Sequence, residues 1–286
     1  MGKSNDNNDK NIAKEEKYVS VQEYTGQGYE LNNGEETDKI AEAHREEIDK
    51  AVKAFFLEKY KTEVKVHNVV GAAEGASVFV ESVGEPHFYT YAIVPIDVKE
   101  KEVLTEKVWS KEEQVEDAIK GGLYALLFEE EFNTLDEYLK TFSKKNDVVG
   151  KREESLENVG GTGYMTPYYY ITTSINDDAI KPVYELYLKN PTVNKNALKK
   201  AYNNSAFSEE NFKITIQLFM EDKEMAPSEK IFNQVCDDLE KMNTIPKGSY
   251  SVVVNDNRVD KTTDTGYKDN SLKRAYPNYI LKIKVR

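Results

Sequence analysis

The sequence predicts an α+β fold in which antiparallel sheets are packed with helices, arranged as two lobes. Three observations predict it. Apolar residues recur at helical spacing in some segments and alternate at strand spacing in others, so both element types are present in both halves. Glycines at Gly71, Gly75 and Gly84 divide three consecutive strand-like runs as hairpin turns do. Between the halves, residues 143–163 shift to lysine, glutamate and then Gly160-Gly161-Thr162-Gly163, the composition of a linker or large loop. We therefore expect an N-terminal lobe over 18–150, a linker over 151–163 and a C-terminal lobe over 164–286. A chain of 286 residues buries roughly 70–75% of its unfolded surface without help from disulfides or metal.

Residues 1–17 are almost wholly polar and cannot bury enough apolar surface to offset their ordering entropy, which predicts a flexible tether. Asp6 stands where an N-myristoylation signal wants Ser or Thr, so Met1-Gly2 is read as an added dipeptide. The stretch 18–31 is extended in character. A helix follows, with Thr37 as its N-cap and Ile40, His44, Ile48, Val52, Phe55 and Phe56 as one stripe. Strands are expected at 64–70, 76–83 and 87–96. Ser110 with Glu113, and Thr134 with Glu137, fit the capping box and predict two more helix starts. In the first of these helices Gly121 and Gly122 lower helix propensity by about 1 kcal/mol each. That composition predicts either a close backbone approach or a break. In the second half, strands are expected at 168–173, 212–220, 250–254 and 279–285, and helices at 183–189, 195–202 and 227–242.

Composition excludes several function classes. With 39 basic against 51 acidic residues, net −12, the chain lacks the basic footprint of a nucleic-acid binder. No apolar run reaches the roughly 18–20 residues of a membrane span. One cysteine leaves neither an internal disulfide nor a cysteine-ligated zinc site. Cys236, followed by Asp237 and Asp238, has neighbours that raise a thiol pKa, and is read as a packed structural residue. No cofactor and no metal site are expected.

Three histidines and nineteen tyrosines make a palette poor in bases and rich in amphipathic rings. His44 shares a helix with Glu47, a pair too small for a metal site. His67, on the polar face of its strand, carries no argument. His87 follows Gly84-Glu85-Pro86 at the mouth of a strand with Tyr89 and Tyr91, a place where sites cluster, and is the one catalytic candidate. There is no Gly-x-Ser-x-Gly elbow and no P-loop. The segment 260–266 spaces oxygen side chains as calcium loops do, yet fails the EF-hand pattern and is read as a turn held by Asp264. As binding residues the sequence offers Tyr164, Tyr168 and Tyr170, an aromatic cluster suited to contact. It also offers Lys282, Lys284 and Arg286, the basic face of the last strand, whose simpler role is to guard a sheet edge.

The stretches 16–29 (EKYVSVQEYTGQGY), 41–48 (AEAHREEI) and 66–97 (VHNVVGAAEGASVFVESVGEPHFYTYAIVPID) resemble a family of staphylococcal-type lipoproteins known only as a domain of unknown function. The similarity runs over most of the chain from about Asn11. It implies a secretory signal, a lipidated cysteine, a polar spacer and a domain outside the cytoplasmic membrane. It brings no activity and no functional residues.

The reading that follows is an extracytoplasmic protein anchored to the cell membrane by N-terminal lipidation. It is expected to act as a binding or interaction module at the cell envelope, with an envelope polymer, an envelope protein or a host protein as partner. A tether of about 17 residues has a root-mean-square span of roughly 20–25 Å, enough to let the domain reorient above the membrane. Two alternatives stand beside it: an envelope hydrolase centred on His87, and a structural or antigenic surface protein with no specific ligand.

Overall fold

A computed structural model of the chain describes residues 17–159 and 161–283. The tether expected over 1–17 lies outside these residues except for Lys17, as do Gly160, Lys284 and Arg286. The chain enters with strand β1 (Tyr18–Ser20) and two helices, α1 (Glu35–Ala43) and α2 (Arg45–Tyr60). An antiparallel meander follows in chain order: β2 (Val64–Ala72), β3 (Gly75–Ser82), β4 (Tyr89–Asp97) and β5 (Glu102–Val103). Its short turns at the expected glycines make antiparallel pairing the accessible solution. Next come α3 (Gln114–Leu127), α4 (Glu129–Lys145), β6 (Val148–Val149), α5 (Glu153–Asn158), β7 (Tyr169–Thr173), α6 (Lys181–Lys189) and α7 (Lys195–Ala201). The chain closes with β8 (Phe212–Met220), α8 (Glu229–Lys241), β9 (Gly248–Asn255), β10 (Arg258–Asp260), β11 (Leu272–Arg274) and β12 (Ile280–Lys282).

β8 and β9 form the centre of a second sheet. β7 and β6 share the outer side of β8, and β11 and β12 share the outer side of β9, all antiparallel. The expected α+β fold with antiparallel sheets packed with helices is what forms, and β8 and β9 are its one parallel pair among the described strands. The reason is α8 between them, because a crossover helix returns the chain to the same end of the sheet. Ser228 caps α8 by accepting the Ile231 N–H at 3.4 Å, and Ile231, Val235 and Leu239 turn inward. β8 buries Phe212, Ile214, Ile216, Leu218 and Met220, the alternating face the sequence predicts.

One hydrophobic cluster holds residues from Ile40 to Ile280, including side chains of both sheets and of helices α1 to α4, α6, α7 and α8. A smaller cluster of Val21, Tyr24, Val159, Phe219 and Val259 ties the first described residues to the last third of the chain. There β1 pairs with β10, and the Tyr24 hydroxyl donates to the Lys261 carbonyl at 2.7 Å. Residues 151–163, expected as a linker, contain α5, whose Ser155 and Leu156 are buried together with Val159 just beyond it.

Local start signals fare worse than periodicity. The helix expected from Thr37 is divided at His44 into α1 and α2. Thr37 lies inside α1, donating to the carbonyls of Gly34 and Ala72. Neither capping box forms. Ser110 Oγ is engaged by the Tyr60 hydroxyl at 2.8 Å, and Glu113 has φ 64°. Thr134 lies well inside α4 and donates to the Glu130 carbonyl. Helix α3 is unbroken through Gly121 and Gly122, so their meaning is close approach: a Cβ on Gly122 would stand 2.5 Å from the His87 carbonyl oxygen.

The C-terminal turns rest on ion pairs with a defined pH signature. Burial pushes the Asp256 carboxyl up, but hydrogen bonds from Lys268 (2.7 Å), Asn270 and the Arg258 N–H outweigh it and hold the pKa below the usual carboxylate range. A depressed folded-state pKa contributes stability that is complete above the unfolded value of about 3.9 and is lost as pH falls through the folded value. Asp256→Asn is therefore expected to cost about 1.5–3 kcal/mol at pH 7. It should also flatten the acid limb of the stability curve below about pH 4. Urea titrations at several pH values check it; an unchanged acid limb would refute the assignment. The turn expected to be held by Asp264 is instead held by Asp260, which accepts from the Thr262 N–H and hydroxyl. Asp264 pairs with Lys151.

Candidate functional site

A β-bulge in β2 builds the densest group of titratable side chains around His87. Val66 faces Val80 and Asn68 faces Phe79, so His67 is the additional residue on its strand. A bulge re-aims the side chains beside it. The His67 side chain, expected on a polar face, is only 5% exposed. The bulge is held from both sides: Arg45 on α2 donates to the His67 carbonyl at 2.8 Å, and Asn68 donates to the Asn158 carbonyl at the end of α5 at 2.9 Å. That second bond brings Glu157 of α5 over the strand.

The result is a chain of contacts. Glu157 Oε2 lies 3.4 Å from His67 Nδ1, and His67 Nε2 lies 2.8 Å from Glu81 Oε2 on the neighbouring strand. The other Glu81 oxygen lies 2.9 Å from His87 Nε2. One carboxylate thus serves two imidazoles. Burial pushes the Glu81 carboxyl up, but the hydrogen bonds from His87 and His67 prevail and hold it below its ordinary value. Tyr89, the cross-strand partner of Glu81, and Tyr164 close the site edge-on to the His87 ring, with centroids 5.0 and 6.0 Å away. Burial raises both phenols, Tyr164 to about 12, and the charge of Glu81 adds to the rise at Tyr89. Both hydroxyls therefore stay protonated at neutral pH.

For covalent hydrolysis this arrangement lacks a side-chain nucleophile. Among the described residues no serine, threonine or cysteine hydrogen-bonds to the His87 ring. The nearby Ser82 hydroxyl donates to the Pro86 carbonyl and accepts from the Phe88 N–H. Cys236 is buried elsewhere, its thiol pKa raised by that burial. As ligands the cluster is better equipped: His67, Glu81 and Glu157 offer donor atoms within 4.8 Å of one another.

A different kind of site opens where α3 meets α4. A cavity of about 410 Å³ is lined by six aromatic residues, Tyr124, Phe128, Phe132, Tyr202, Phe207 and Phe212, with Glu130, Glu131, Asn204 and Lys247 also in its wall. Tyr124 fixes the inner wall. Its hydroxyl donates to buried Asp177 at 2.7 Å, and its ring centroid lies 4.1 Å from that of Phe212. An adjoining cleft of about 480 Å³ adds Glu129, Lys195 and Lys199. The sequence offers no local sign of this cavity, since its residues come from positions 124–134, 202–212 and 243–247.

The residues singled out in the sequence are distributed over three places. His87 and Tyr164 meet at the bulge cluster. Tyr168 and Tyr170 line a cavity of about 350 Å³ with Tyr29, Lys151 and Asp264. The Tyr168 hydroxyl also meets Ser143 Oγ at 3.1 Å, so its ring is partly structural. Lys282 donates to the Glu240 carbonyl near the end of α8 at 2.8 Å, and burial lowers its pKa. No helix among the described residues is long and apolar enough to cross a membrane.

Comparison with known proteins adds a family and a fold. The family model described as "Protein of unknown function (DUF1672)" matches residues 11–282. The crystal structure of a DUF1672 family protein from Staphylococcus aureus subsp. aureus Mu50 is similar with a TM-score of 0.73 at 18% identity. The match covers 94% of this chain and 99% of that one. No curated protein matches the sequence.

Proposed function

We propose that this chain, which belongs to the DUF1672 family, is a lipid-tethered binding protein of the cell envelope. Its ligand places a flat apolar group in the aromatic cavity between α3, α4 and the start of β8. The observation that carries this reading is the ring of six aromatic side chains around about 410 Å³, with carboxylates and a lysine beside it. Small-molecule sites are concave and mostly apolar, with a few polar groups that fix orientation. An inserted ring hiding about 150 Å² of apolar surface gains about 4 kcal/mol before association costs are counted. The lack of a side-chain nucleophile at His87 among the described residues supports binding over hydrolysis through a covalent intermediate. The lipid tether and the location outside the membrane extend the family resemblance, and an envelope polymer or an envelope or host protein is the source of the bound group.

Two experiments test it. The dye 1-anilinonaphthalene-8-sulfonate is expected to bind the folded protein saturably at one equivalent. Asn204→Trp, which fills the cavity from an exposed position in its wall, should abolish that binding while leaving the melting temperature within a few degrees. Unchanged dye binding in the filled variant would remove the cavity from the proposal. For the tether, metabolic palmitate labelling of the natural precursor is expected to depend on its lipobox cysteine; an unlabelled precursor sinks the anchoring.

A further inference from the structure

We propose that the bulge cluster is a binding site for a divalent transition-metal ion of the zinc type. His67, Glu81 and Glu157 are its ligands, and His87, which meets the other Glu81 oxygen, is an outer partner that orients that carboxylate. The reading is independent of the aromatic cavity, which shares none of these residues.

The first argument is the number of protons available. A neutral imidazole has one N–H and one bare nitrogen. Yet the nearly buried His67 ring faces a carboxylate oxygen at each nitrogen, Glu81 at 2.8 Å and Glu157 at 3.4 Å. Both contacts are favourable only if the positive charge of a ring proton or of a metal ion stands at one of the two nitrogens. His87 meets the same Glu81 carboxylate at 2.9 Å. The site thus concentrates two carboxylates around two rings and calls for positive charge at its centre.

The second argument is spacing. Metal–ligand bonds of about 2.0–2.1 Å in a tetrahedron set neighbouring donor atoms about 3.3–3.4 Å apart. One ligand atom from each of His67, Glu81 and Glu157 lies within 4.8 Å of the others, so the three side chains need to close by at most about 1.5 Å to reach that spacing around one ion. Imidazole nitrogen with carboxylate oxygen is the donor set of zinc and its first-row neighbours, whereas magnesium and calcium prefer oxygen alone.

The third argument is construction. The bulge that turns His67 inward costs a ladder position, and Arg45 and Asn68 hold it in place. Glu81 and Glu157 remain 23% and 29% exposed, so an ion has a way in and a water can complete its shell.

The test is titration of the whole chain, stripped with a chelator, with Zn²⁺ by calorimetry and with Co²⁺ by visible absorption. One Zn²⁺ per chain is expected, together with the intense d–d bands of a four-coordinate Co²⁺ site. Glu81→Gln and Glu157→Gln should each weaken binding by about tenfold or more, and His87→Ala by about 10–100-fold. These replacements are at partly exposed positions, which avoids reliance on His67→Ala, where folding itself is at risk. His44→Ala, which removes the exposed pair with Glu47, should change nothing. Binding that survives both glutamine variants, binding removed by His44→Ala, or no stoichiometric binding would each overturn the proposal.

Discussion

Replacing Gly122 by alanine is expected to destabilise the protein by about 1–3 kcal/mol, the reverse of what the exchange does in an unobstructed helix. Helix propensity alone would make Gly→Ala stabilising by about 1 kcal/mol. Against this, the added methyl would stand 2.5 Å from the His87 carbonyl oxygen and 3.1 Å from Pro86 Cβ. Backbone cannot rotate aside as a flexible side chain can, so either α3 or the 86–88 segment must shift. Gly121 is the matched control, because a Cβ there meets the Tyr164 backbone nitrogen at 3.3 Å and Ile171 Cγ2 at 3.7 Å. Gly121→Ala should therefore lie within about 1 kcal/mol of the parent. Urea unfolding of the two variants, read as midpoints at constant slope, decides the matter. Net stabilisation by Gly122→Ala would show that the approach is looser than described. Because His87 sits on the segment that must move, the same variant should also weaken Zn²⁺ binding, whereas Gly121→Ala should not.

The contrast between these glycines shows which features the sequence discloses. Periodicity is a property of a whole element, so β8, α8 and the β2–β4 meander could be read with boundaries close to those observed. Gly122 was legible for the same reason, as an unfavourable residue inside a clear helical stripe. The bulge was not, since one additional residue in a strand leaves little trace. A trace does exist: Val64 and Val66 keep one parity, yet it is Val69 that packs against the core with them, and that change of parity marks His67. Glu157 escaped because its helix lies in a segment whose composition reads as linker, where short helices are stabilised by docking more than by propensity. The capping boxes failed for a tertiary reason, Ser110 being taken up by Tyr60 from another helix.

Tyrosine abundance also changes meaning with the structure in hand. Read as composition, it suggests a contact surface. Several of these rings are instead internal pins with anchored hydroxyls: Tyr24 to the Lys261 carbonyl, Tyr124 to Asp177, Tyr187 to Thr62, and Tyr250 to the Pro246 carbonyl. A buried phenol needs a partner, and tyrosine is the residue that fills apolar volume while carrying a hydrogen bond across it. The aromatic character that remains available for binding is concentrated at the cavity, where four of the six rings are phenylalanine.

Phe212→Ala and Phe219→Ala, on the same strand, are expected to differ by about 1 kcal/mol or more, with Phe219→Ala the costlier. Both rings are buried, at 1% and 0% exposure, and both substitutions delete the same atoms from β8, so transfer and strand propensity cancel between them. What differs is the space around each ring. Phe219 is enclosed by Val21, Tyr24, Val159 and Val259, and a Cβ on Gly266 would stand 2.3 Å from its ring. Deleting it leaves a closed void, with a cost toward the upper end of the 3–5 kcal/mol typical of Phe→Ala. Phe212 borders the 410 Å³ cavity on one side, so it already lacks neighbours there and has fewer contacts to lose. The void it leaves merges with space that water or ligand can enter, which lowers the cavity term. Loss of its 4.1 Å pairing with Tyr124 returns about 0.5–1.5 kcal/mol of the difference, not enough to reverse the order. Denaturant unfolding of both variants measures the gap. An equal or larger cost for Phe212→Ala would mean that its ring is as enclosed as Phe219, and the cavity would then be too tight to admit the group assigned to it.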